Sequence, residues 1–142
     1  LVRGTEEEQQ SITLALKHLQ YMPYDFQILT YKWISQVYYE NNQWKKTMYY
    51  AKKLELTARE GYYYGRALAY QGYALMQLGG TLALYHCAQN KFDEGLHELL
   101  DVANRAYEFE HLQRFKQCLQ MYWKFKSQIN IEHEKKFIQL LT

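Results

Sequence analysis

Apolar residues return every three or four positions along most of this chain, the period of a helix that keeps one face inward. After Thr5-Glu-Glu-Glu8, a capping-box sequence, Ile12, Leu16 and Leu19 follow at that spacing and predict a first helix over 6–21, ended by Pro23. A second helix, over 24–40, places Phe26, Leu29, Trp33 and Val37 on one stripe that Ile34 and Tyr38 widen. Asn41-Asn42 stops it, because Asn tolerates the left-handed conformation at a helix end. Trp44, Met48, Ala51, Leu54 and Ala58 mark a third over 43–60, closed by Gly61. A fourth over 62–78 turns Ala67, Leu68, Gly72, Leu75 and Leu78 inward; its small residues permit a close helix crossing, and Gly79-Gly80 ends it.

Farther on, Leu82, Leu84, Tyr85 and Cys87 form a short apolar segment over 81–89. Asn90-Lys91 then introduces a long helix to 109, with Phe92, Leu96, Leu99, Ala103 and Ala106 on its stripe. Leu112, Phe115, Leu119 and Tyr122 predict a helix over 111–127, and Phe137, Ile138 and Leu141 an eighth from Ile131. The expectation is an all-α chain of about seven to eight helices, joined by short connections that make successive helices antiparallel. One Pro and 7 Gly in 142 residues leave too few turn formers for an all-β fold.

Two stretches repeat one order of residues 37 positions apart: small Ser35, bulky Tyr38 and turn-forming Asn42, then Gly72, Leu75 and Gly79. With Trp44 and Ala51 added, residues 31–54 resemble a divergent tetratricopeptide (TPR) repeat. The stretch from Met48 to Gly79, with Ala58-Arg-Glu-Gly61 and Gly72-Tyr-Ala74 before Leu78-Gly79, is similar to the longer repeats of bacterial peptide-sensing regulators and eukaryotic adaptors. On that resemblance 1–142 is a single repeat domain, with a leading helix over 1–22, the best-matched repeats over 24–80 and further, irregular repeats over 81–142. Small positions recur at Ala83 and Cys118, yet Gly72 and Ala83 stand only eleven residues apart. A second helix is missing there, so either the array is irregular or a segment of about two dozen residues belongs between Gly79 and Thr81.

The resemblance implies antiparallel helix pairs stacked as a right-handed superhelix, whose first helices line a concave groove that holds an extended peptide or a partner helix. Carried onto this chain, the groove positions are Lys32, Gln36 and Tyr39 in one repeat and Arg66, Ala69, Tyr73 and Met76 in the next. Lys32 and Arg66 suit a carboxylate, Gln36 a peptide backbone, and Tyr39, Tyr73 and Met76 adaptable apolar contact.

Fifteen Tyr, 6 Phe and 3 Trp supply side chains that serve equally between helices and in half-buried grooves. The net charge of +2 comes from interspersed acids and bases, so no basic stripe points to direct nucleic-acid binding. Lys45-Lys46 with Lys52-Lys53, and Lys124, Lys126, Lys135 and Lys136, read as solvated helix faces. Cys87 and Cys118 lie on apolar helix faces without metal-ligand spacing and read as reduced, buried thiols. No apolar run is long enough to span a membrane. Leu1-Val-Arg-Gly4 lacks the order of a signal peptide, so the expectation is part of a longer cytoplasmic protein.

Catalytic patterns are incomplete. His97-Glu-Leu-Leu-Asp101 has Asp where a zinc protease needs its second His, and Glu108-Phe-Glu-His111 is only one half of a di-iron bundle's ligand set. His86 and Cys87 are adjacent on a helix and point about 100° apart. No cofactor, metal or catalytic residue is assigned. The expected function is a non-catalytic protein- or peptide-binding module, the sensor or interaction part of a larger regulatory protein in transcription control. The alternative is a structural adaptor or homodimerisation scaffold that uses Phe137, Ile138, Leu140 and Leu141.

Overall fold

The computed structural model describes the backbone of residues 6–79 and 81–141 and the side chains of 6–79 and 81–129. Six α-helices account for nearly all of it: α1 (Glu6–His18), α2 (Tyr24–Glu40), α3 (Trp44–Ala58), α4 (Gly61–Leu78), α5 (Leu82–Glu108) and α6 (Leu112–Leu141). A single 3-10 turn, Leu19–Tyr21, carries α1 toward Pro23. Among the described residues there is no strand. From α2 onward each helix packs against the next, and the short connections make neighbours antiparallel. α4 additionally touches α2 and α6, which places it at the centre.

That central position explains why every residue of α4 from Gly65 to Ala74 is buried, whichever way its side chain points. Among the described helices its contact with α5 is the most extensive, and it is close. A Cβ on Gly72 would lie 2.6 Å from both the Cβ and the backbone nitrogen of Phe92, and one on Gly95 would lie 2.6 Å from the backbone nitrogen of Ala69. Backbone therefore meets backbone along Gly65, Ala69 and Gly72 on one side and Ala88, Phe92 and Gly95 on the other. On its opposite flank α4 is tied to α3 by Gln71, whose amide donates to Ala51 O at 3.2 Å and to Glu55 Oε1 at 2.8 Å. Lys91 of α5 pairs with the same Glu55 at 3.4 Å, so one carboxylate joins three helices.

The structure revises several expectations. Six helices replace the expected seven to eight, because the breaks near 89 and 128 do not exist. Thr81 caps α5 and residues 82–89 are its first turns, and the inward row Tyr85, Ala88, Phe92, Leu96, Leu99, Ala103, Ala106 runs through Asn90-Lys91 without losing its spacing. α5 is itself the antiparallel partner of α4, and Ala83 is exposed and marks no crossing. On α6 the inward row is Cys118, Phe125 and Ile129 with Met121 and Tyr122 beside it, whereas Leu112 is 60% exposed. The first half of the expected α2 stripe also faces out, with Phe26 59% exposed; of that stripe Ile34, Val37 and Tyr38 are buried in the core and half-buried Trp33 packs against them. Cys87 is exposed rather than buried, and both cysteines are free thiols. Thr5 and the side chains of Phe137, Ile138, Leu140 and Leu141 lie outside the described residues.

Turn chemistry follows the sequence in part. Asn42 takes the left-handed conformation with φ 59°, but Gly79 is extended with φ −67°. α3 ends at Ala58, and the left-handed residue after it is Arg59 with φ 66°, while Gly61 with φ 86° opens α4.

Candidate functional site

Helices α2, α4 and α6 are separated in sequence by intervening helices yet touch through α4, so together they form one face. Its middle is a packed aromatic cluster. The Tyr39 ring has centroid distances of 4.9 Å to Tyr70, 5.3 Å to Tyr73, 6.0 Å to Trp44 and 6.1 Å to Phe125. Phe125 of α6 also meets Tyr70 at 5.3 Å and Phe92 at 6.0 Å, and the Tyr39 hydroxyl donates to Gln128 Oε1. Of the positions singled out in the sequence, Tyr39, Ala69, Tyr73 and Met76 are therefore core residues, Met76 only 1% exposed. Edge-to-face aromatic contacts account for Tyr39 and Tyr73, with Phe125 of α6 against Tyr39, Ala69 belongs to the close α4–α5 crossing, and Met76 is buried in the same cluster.

Toward the N-terminal end of α4 the face turns polar, and here the structure brings Lys32, Gln36 and Arg66 together. Arg66 projects from α4 but is only 7% exposed. Its Nη1 donates to the Tyr62 hydroxyl at 3.2 Å, and its Nη2 to Gln36 Oε1 at 3.2 Å and to the Tyr70 hydroxyl. Tyr62 and Tyr70 stand four residues either side of Arg66, so all three share one helix face and both rings lie under the guanidinium, 5.6 and 5.4 Å from centroid to Cζ. Gln36 in turn donates to Glu40 Oε1 at 2.9 Å along α2. Arg66 Nε is buried and has no hydrogen-bond partner.

Two more cations adjoin it. Lys32 is half-buried, and its ammonium pKa is lowered, first by desolvation and then by the neighbouring Arg66 charge. Arg114 of α6 places its Cζ 5.0 Å from the centroid of the same Tyr62 ring and 5.9 Å from that of Tyr63. Each of α2, α4 and α6 thus contributes one cation. Among the described residues, no carboxylate lies within ion-pair distance of any of the three. Sequence reasoning missed Tyr62, Tyr70 and Arg114; the Tyr-x-x-x-Arg-x-x-x-Tyr spacing was a usable signal, but nothing in the sequence brings Arg114 to Tyr62 before α6 is docked.

The incomplete catalytic patterns resolve into ordinary surface features. His97 Nε2 and Asp101 Oδ2 are 3.7 Å apart on the exposed side of α5. Glu108 ends that helix, so it and His111 do not share a helix face. An open cleft of about 680 Å³ between α4 and α5 is lined by Tyr64, Leu68, Asn90, Asp93, Glu94, His97 and Glu98. Glu98 accepts from the Gly61 N–H at 3.0 Å and pairs with Arg105 at 3.5 Å, so it closes the α4 N-terminus. Among the described residues, no group of three His, Cys, Asp or Glu side chains is arranged to hold a metal ion, and no helix is long and apolar enough to cross a membrane. The chain matches no family model, no curated protein and no solved structure.

Proposed function

We propose that this chain is a non-catalytic, TPR-like module of a larger cytoplasmic regulatory protein that binds an acidic peptide or protein segment on the face shared by α2, α4 and α6. The observation that carries the reading is the set of three cations, Lys32, Arg66 and Arg114, one from each helix of that face, without an acidic partner among the described residues. Unneutralised charge held in partly dehydrated surroundings costs stability, and it is compensated when a ligand brings the opposite charge. Pairwise packing of successive helices, with direct α2–α4 and α4–α6 contact, supports the stacked arrangement in which such a face is concave. Because α6 already fills its aromatic half, the ligand lies along the polar half around Gln36 and Arg66 rather than over Tyr39, Tyr73 and Met76.

A second reading, a structural adaptor or homodimerisation scaffold, draws on the α5–α6 turn. There Tyr107 and Phe109 are 70% and 71% exposed, beside an apolar hollow of about 290 Å³ formed with Ala106, Leu112 and Phe115.

Fluorescence anisotropy with matched acidic and neutral peptides separates the two. Acidic peptides bind the wild type, and Lys32→Glu weakens them by about 10- to 150-fold, the equivalent of a lost charge-assisted hydrogen bond. Binding indifferent to peptide charge, or no peptide binding together with a dimer that Leu112→Glu dissociates in sedimentation, would overturn the first reading and favour the second.

A further inference from the structure

The polar half of this face is made almost wholly of hydrogen-bond donors. Arg66 has five N–H groups; three serve Tyr62, Gln36 and Tyr70, and Nε–H, fully buried, serves nothing. By accepting from Arg66, the Tyr62 and Tyr70 hydroxyls each keep their own proton to give. Lys32 adds three more donors at the rim, where it and Tyr62 are half-buried. The acceptor that faces Arg66, Gln36 Oε1, is already used, and the Gln36 amide is turned away toward Glu40. A cation would be repelled from such a site, and a neutral donor would find little beyond the second lone pair of Gln36 Oε1.

We infer that the Arg66 centre is a binding site for a single oxyanion, a carboxylate or a phosphate group, taken by Arg66 Nε–H and the Lys32 ammonium with the Tyr62 and Tyr70 hydroxyl protons alongside. The inference rests on reading this face as a ligand-binding one and adds what the ligand must present. An oxyanion supplies several lone pairs and the missing negative charge together, so it matches the orphaned donor and the unpaired cations at once. Arg114 stands on the far side of Tyr62 in the same cationic cluster and strengthens the field that attracts the anion.

The test is thermal unfolding of the whole chain in acetate, in inorganic phosphate and in chloride at one ionic strength. Acetate or phosphate raises Tm saturably by several degrees over chloride, and whichever does so more strongly names the source of the anion. Lys32→Gln shifts the midpoint of that effect at least tenfold to higher concentration, and Arg66→Met abolishes it while lowering Tm in chloride as well, since Gln36 Oε1 and the buried Tyr70 hydroxyl lose the donor they share. Should Arg66→Met fail to fold, Tyr62→Phe, which removes one donor at the rim, gives the same comparison. Equal Tm in all three salts, or a response that Lys32→Gln and Tyr62→Phe leave untouched, would sink the site. Peptide anisotropy keeps the two readings apart: a peptide that binds wild type and Arg66→Met alike preserves peptide binding while removing the anion site, and saturable anion binding without any peptide binding does the reverse.

Discussion

Gly72 has no room for a methyl group, and Gly61 has room but the wrong backbone angle for one. At Gly72 the added carbon would meet the Phe92 backbone nitrogen at 2.6 Å, a contact that only separation of α4 from α5 relieves. At Gly61 nothing stands within 4 Å, and the cost is that of φ 86° alone. Gly61→Ala therefore loses about 1–2 kcal/mol in urea unfolding. Gly72→Ala loses more, about 3 kcal/mol or beyond, despite the better helix propensity of Ala. Arg59 shows the converse: it holds φ 66° with an exposed side chain, so Arg59→Gly should gain about 1 kcal/mol in the same assay. A loss on that substitution would mean that the guanidinium makes a contact of its own. Asn42 was legible as a left-handed stop because the residue type carries the preference, whereas Arg59 and Glu110 also take a positive φ with no such mark in the sequence.

Helix boundaries were most legible where a strong breaker stands in the chain. Pro23, Asn41-Asn42 and Gly61 bracket α2 and α3, and both occur where the pattern placed them to within two residues. Asn90-Lys91 misled because a polar pair was read as the start of a new helix, although the apolar row from Tyr85 to Ala106 passes through it at unbroken spacing. The site was legible only in its first two elements. Lys32, Gln36 and Arg66 do meet, but the sequence did not show that α6 packs over Tyr39 and into the cluster that holds Tyr73 and Met76, since that depends on a long-range contact through Phe125. Phe125 is the main anchor of α6, fully buried against Tyr39, Tyr70 and Phe92. Phe125→Ala should cost about 3–5 kcal/mol. It should also raise hydrogen exchange in α6 far more than in α4 or α5, because the α4–α5 contact does not involve it. Uniform loss of protection across all helices would show instead that α6 is part of one cooperative unit.

Across the whole molecule the buried tyrosines set a limit on alkaline stability. Burial raises the phenol pKa values of Tyr39, Tyr62, Tyr70 and Tyr85, among others, above the ordinary value near 10. Below pH 10 both folded and unfolded chains keep these protons, so stability is fully present. Above pH 10 the unfolded chain releases them while the folded one retains them, and stability falls with rising pH. Lys32 acts in the opposite sense, since its lowered pKa makes the folded state recover stability as pH approaches 10.5. Among the described residues one amine is outnumbered by seven phenols. Chemical denaturation midpoints should therefore fall steeply between pH 10 and 11, and Tyr39→Phe should flatten that fall while costing about 1 kcal/mol at pH 8 through its lost bond to Gln128. The glycine seam sets a mechanical limit as well. Two rods whose main chains interlock cannot slide or roll past one another, so α4 and α5 behave as a single stiff lever with Arg66 mounted on it.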